Sequence, residues 1–137
     1  MNINDVFKKY DPKSECVWKE YKEMKFHIAP MGNTFQKKKI TELFSLKEAI
    51  ALEDVGALAF EDVKANVAMG KVYNLYAQSL VFGWDNVEED DGKALTFSHD
   101  KIHEWMMEHN EFANWVISTA QELRKAQFEA KEEVIKN

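Results

Sequence analysis

Cysteine is all but missing. Cys16 is alone among 137 residues, so neither an internal disulfide nor a thiolate metal cage can form. No histidine neighbours it, so a half-buried small residue is a better reading than an activated nucleophile, and a reducing cytoplasm is the simplest setting. Glycine and proline are scarce, five and two, which leaves few long loops and favours helices. The N-terminus, Met1 to Tyr10, has no signal-peptide apolar run. The longest apolar stretch, near Leu75 to Trp84, is interrupted and too short to span a bilayer. Positive charge is also short: 18 Lys and Arg face 24 Asp and Glu, a net charge of -6. That balance counts against nucleic-acid binding. Lys37-Lys38-Lys39, between Phe35 and Ile40, reads as one solvated helical turn. Neither a Gly-rich phosphate loop nor a Gly-x-Ser-x-Gly elbow occurs.

What is present describes a folded, soluble chain: 45% hydrophobic and 31% charged residues. Residues 1–137 are read as a single domain, with a charged C-terminal helix or tail from about 124 to 137 leaving its surface. The expected fold is mainly α, a compact multi-helix domain with a small N-terminal β-hairpin or strand; α+β is the alternative. Asn4 to Tyr10 suits a short helix. Glu23 to Ala29 alternates, with Met24, Phe26 and Ile28 on one side, which predicts a strand paired with residues around Cys16 to Glu20. Pro30-Met31-Gly32-Asn33 ends it as a turn.

Asn33 or Thr34 can cap a helix carrying Phe35, Ile40, Leu43 and Phe44. Ser45-Leu46-Lys47-Glu48 is a capping box that restarts a helix ending near Gly56. The longest pattern, about Phe60 to Phe82, is apolar on most sides and should be the central helix. Gly70 within it costs roughly 1 kcal/mol relative to alanine, which close approach of another helix would explain. Ser98 caps the next helix, with Phe97 placed to staple onto Ile102 and Asp100 at the positive end of the dipole. Asn110 offers a further cap for a helix carrying Phe112, Trp115, Val116, Thr119, Ala120 and Leu123.

Candidate chemistry is thin. His99 and His103 are one helical turn apart and can share a metal, but no third ligand follows at a suitable spacing, since Glu104 points roughly 100° away from His103. A metal-dependent hydrolase would need these two histidines and an acidic residue. Asp85 to Asp91 ends in Gly92, but the EF-hand template puts Val87 first and Ser98 twelfth, so a solvated turn is the better reading. No metal and no cofactor is expected. Aromatic residues serve a core first. Phe128 lies about 140° off the apolar stripe and is expected to be exposed.

Gly83-Trp84-Asp85-Asn86-Val87, then Asp91-Gly92-Lys93, Leu95 and Phe97-Ser98, followed by an amphipathic helix pair, resembles the C-terminal half of tail assembly chaperones of long-tailed phages and prophages. Lys25 to Asn33 resembles the extended segment before their first helices. Where that family often has an acidic residue and an asparagine after Phe-Ser, this chain has His99-Asp100-Lys101. The resemblance implies a non-enzymatic protein of the host bacterial cytoplasm, absent from the mature virion. It would bind the tape measure protein, keep it soluble and promote tail tube assembly around it. It also implies contact with the tail tube protein through a frameshifted C-terminal extension, leaves room for self-association, and involves neither nucleic acid nor membrane. Adaptable contact area is expected from Trp105, Met106, Met107, Trp115 and Phe128; Trp105 and Trp115 equally suit a plain core. The rival class is a small acidic helical adaptor or regulator binding one host protein.

Overall fold

Alternation from Glu23 to Ala29 does produce a strand. The computed structural model describes residues 12–44 and 69–136. A 3-10 turn, Pro12–Glu15, leads into β1 (Val17–Tyr21), which pairs antiparallel with β2 (Met24–Ile28) in the register Val17 to Ile28 through Tyr21 to Met24. Lys22 and Glu23 form the two-residue turn between them, both with positive φ, 46° and 72°. Tight right-twisted hairpins require that geometry and usually fill it with Asn-Gly.

Four helices follow among the described residues: α1 (Thr34–Leu43), α2 (Met69–Leu80), α3 (His99–Glu108) and α4 (Asn110–Lys136). A third strand, β3 (Val81–Asp85), joins the free side of β2, giving a three-stranded antiparallel sheet in the order β1-β2-β3. The fold is therefore mainly α with a small β part. The N-terminal hairpin is as expected, but Val81 and Phe82 are strand rather than the end of the central helix. No break in hydrophobicity separates Leu80 from Val81, so periodicity alone hides the switch. The β-branched and aromatic run Val81-Phe82-Gly83-Trp84 suits a pleated surface better than a helix end.

Helix α2 is central, as its apolar arc requires. Val72, Tyr73, Leu75, Tyr76, Ala77 and Leu80 are all buried, with α1, α3 and α4 packed around them. Phe26 and Ile28 bring the inner sheet face to the same core. Gly70 meets α3, as its placement suggested: its carbonyl oxygen lies 3.2 Å from His103 Nε2, and a Cβ built there would sit 3.9 Å from Met107 Cε. That spacing is ordinary contact, so the glycine is not demanded by space.

The turn after β2 is locked by a buried polar network. Asn33 caps α1 by accepting from the Gln36 N–H at 2.8 Å, while its amide donates to the carbonyls of Pro30 and Ser79 at 2.8 and 2.9 Å. Gln36, fully buried, accepts from the Gly32 N–H at 2.7 Å and donates to Ser79 Oγ at 3.1 Å. Ser79 Oγ in turn donates to the Leu75 carbonyl at 2.6 Å. Ser98 caps α3 by accepting from the Lys101 N–H at 3.4 Å. Ile102 is wholly buried, and Phe97 packs against the same core. Asn110 opens α4 as its first helical residue, with the His109 carbonyl accepting from the Ala113 N–H at 3.1 Å. The expected helices at Asn4 to Tyr10 and from Ser45 to Gly56, and the stretch Phe60 to Ala68 of the central helix, lie outside the described residues.

Candidate functional site

The segment from Gly83 to Ser98 folds back on itself around Trp84. Its indole Nε1 donates to the Leu95 carbonyl at 2.7 Å, and its ring stacks on Trp105 at 5.2 Å and meets the edge of Phe97 at 5.0 Å. Between these anchors the acidic stretch is a short hairpin. Leu95 N–H donates to the Val87 carbonyl at 2.9 Å, Glu89 N–H to Lys93 at 2.8 Å, and Gly92 N–H to Glu89 at 2.9 Å. Gly92 has φ +84°, a conformation L side chains rarely adopt, and so closes the turn. Val87 is buried beneath it. Two of the segment's carboxylates serve the loop backbone: Asp85 accepts from the Asn86 N–H and Asp91 from the Lys93 N–H, both at 3.0 Å.

This loop is one wall of a cleft of about 610 Å³. The β1–β2 turn supplies the second wall with Tyr21, Lys22 and Met24. The joint between α3 and α4 supplies the third with Trp105, Glu108, His109, Asn110, Glu111 and Phe112. Tyr21, Met24, Val87, Leu95, Trp105 and Phe112 make the interior apolar and aromatic, whereas the charged groups stand at the rim. That volume lies in the middle of the roughly 300–1,000 Å³ range of ligand pockets.

Backbone strain gathers at the same corner. Lys22, Glu23 and Asn86 are the non-glycine residues with positive φ among those described. Asn86, at φ 59°, donates from Nδ2 to the Glu23 carbonyl at 2.7 Å, tying the acidic loop to the hairpin turn. Such conformations cost about 1–3 kcal/mol each and concentrate at functional sites. The rim's ion pair, Lys22 Nζ to Glu111 Oε2 at 3.8 Å, is largely exposed and holds little.

The contact residues expected from sequence are dispersed. Trp105 lines the cleft, half-buried against Trp84. Met106, next to it, is fully buried and offers no surface. Trp115 sits in an aromatic cluster with Tyr21, Phe26 and Phe112, at centroid distances of 5.1, 5.7 and 6.1 Å. Met107 and Phe128 are exposed, 48% and 52%, and the Arg124 guanidinium lies 5.1 Å from the Phe128 ring. Tyr21, Lys22, Met24, Glu88 and Glu108 were not singled out from sequence. Tyr21, Lys22 and Met24 enter the site through the β1–β2 register, which sets Tyr21 directly opposite Met24, and Glu88 and Glu108 carry no mark in the local sequence pattern.

The paired histidines diverge. His99 Nε2 lies 2.9 Å from the Val81 carbonyl oxygen, and His103 Nε2 reaches the Gly70 carbonyl instead. Burial holds the His99 ring below its ordinary pKa of 6.5, against the raising effects of the Val81 carbonyl and Asp100; Lys39 adds to the lowering. Among the described residues, no group of three His, Cys, Asp or Glu is placed to hold a metal ion, and no helix is long and apolar enough to cross a membrane.

No curated protein and no solved structure matches the chain. The family model described as "YdaY prophage protein" matches residues 8–137, nearly the whole length. A match over that length shows that the chain belongs to the YdaY prophage protein family.

Proposed function

We propose that this prophage protein is a tail assembly chaperone: it binds the tape measure protein in the host cytoplasm, keeps it soluble and promotes tail tube assembly around it. The observation carrying this reading is that the segment resembling such chaperones, Gly83 to Ser98, forms a wall of the apolar cleft. The shape suits helix-in-groove contact, in which a partner helix lays its apolar stripe between rim charges. Many copies along one long helical partner would hold it through multivalency, so each contact can be weak enough for the tube to displace it. The role is non-enzymatic, and a frameshifted extension beyond α4 would meet the tube protein.

Co-expression with the tape measure protein of the same prophage tests this. The partner should become soluble and co-purify with several copies of this chain. A partner that stays insoluble refutes the reading, and a one-to-one complex with a host protein in its place favours an adaptor. Met107→Glu and Phe128→Glu variants report on the outer face of the last two helices. Unchanged binding in both excludes that face and leaves the cleft.

A further inference from the structure

Charge at the cleft rim is one-sided. Glu88 projects from the acidic loop, Glu108 from the end of α3 and Glu111 from the start of α4, against a single lysine, Lys22, on the hairpin turn. Lys22 is already within 3.8 Å of Glu111, so Glu88 and Glu108 are left as the rim's excess charge. The interior beneath them is apolar and aromatic. The whole chain carries a net charge of -6, so the long-range field has the same sign as the rim.

We propose that the cleft receives a basic amphipathic helical segment: one or two large apolar side chains enter between Leu95, Trp105 and Phe112, and lysines or arginines flanking them meet Glu88 and Glu108. Apolar burial supplies most of the affinity. The carboxylates supply selection and orientation, since like charge around the same anchor is repelled by the rim. The chemistry specifies which stretches of a long helical partner are seized: those where an apolar stripe runs beside positive charge. This rests on the cleft being the protein-binding site proposed above, and it can fail separately.

Two synthetic helical peptides with the same leucine and phenylalanine anchors, one flanked by lysine and one by glutamate, test it. Fluorescence anisotropy of the labelled peptides gives affinity, and amide NMR shifts give location. The lysine-flanked peptide should bind on the order of tenfold tighter at low salt, as a few exposed charge pairs provide. Added salt should erode the preference. The shifts should centre on Leu95, Trp105 and Phe112. The E88Q/E108Q variant, altered only at exposed positions, should bind both peptides alike. Equal binding to the unaltered protein, no binding, or shifts centred elsewhere overturns the inference. A soluble tape measure complex without preference for the basic peptide defeats this inference alone. Selective peptide binding without rescue of the tape measure protein defeats only the chaperone reading.

Discussion

Asn33→Ala removes three buried hydrogen bonds with one side chain. Asn33 is 6% exposed; its oxygen caps α1 through the Gln36 N–H, and its amide holds the Pro30 and Ser79 carbonyls. Losing an N-cap costs about 1 kcal/mol. Each carbonyl left buried without a donor costs about 1–3 kcal/mol. Taking the lower part of that range, because relaxation or an entering water recovers some of it, the total is about 3–5 kcal/mol. Against a whole-domain stability of about 5–15 kcal/mol, that is a large share.

Urea unfolding followed by tryptophan fluorescence measures the loss, with the midpoint falling and the slope unchanged if the native fold is kept. Asn33→Ser separates the contributions. Serine can cap but cannot reach both carbonyls, so it should recover about 1 kcal/mol of the alanine loss. Asn33→Asp keeps the capping oxygen, loses the amide and sets a carboxylate against two carbonyls, so it should not recover stability. An alanine variant within about 1 kcal/mol of the parent would refute the network as the lock between the β2–α1 turn and α2.

Trp84→Phe keeps an aromatic ring but strands the Leu95 carbonyl; it should cost about 1–2 kcal/mol and speed amide exchange of Leu95, with an unchanged exchange rate counting against the clamp. Replacing Lys22-Glu23 by Asn-Gly should raise stability by about 1 kcal/mol by relieving two left-handed residues, and an unfolding midpoint that does not rise removes strain from the account. Burial holds His27 and His99 below 6.5, so the unfolded chain takes up protons near that pH before the folded one does. Stability is then fullest well above 6.5 and is lost as pH falls through 6.5 toward the folded values; unfolding midpoints should drop as the pH is lowered through that range, less steeply in His99→Gln, and a flat profile contradicts the assignment.

Local signals in the sequence were legible where a single element carries them. The alternation of Met24, Phe26 and Ile28 marked β2, and Ser98 and Asn33 marked two helix starts. β3 was not legible, because its identity comes from pairing with β2 across more than fifty residues of chain while its composition continues the apolar run of α2. The cleft was legible only in part. Trp105 and the segment from Trp84 to Leu95 stood out, but the hairpin turn enters the site through sheet register, which no local pattern reports. Met106 shows the limit from the other side. A methionine and a tryptophan adjacent on an amphipathic helix look alike in sequence, and only packing against α2 decides that one is interior and the other faces a cleft.

The corner where the β1–β2 turn meets the acidic hairpin is shaped by two demands that pull apart. Stability alone would favour glycine or asparagine at Lys22 and Glu23 and a mixed-charge rim around the cleft. The chain instead keeps charged residues in left-handed conformations and ties them to the acidic loop through Asn86. It clamps that loop from beneath with Trp84, whose stacking partner Trp105 is part of the cleft lining. The hydrogen bonds and aromatic contacts of the Gly83 to Ser98 segment therefore hold a wall, and the carboxylate of Glu88 stands on that wall at the rim. A segment whose acidic turn looks like mere solvation in sequence becomes, once Trp84 fixes it, the means by which this family member presents an apolar cleft under negative charge.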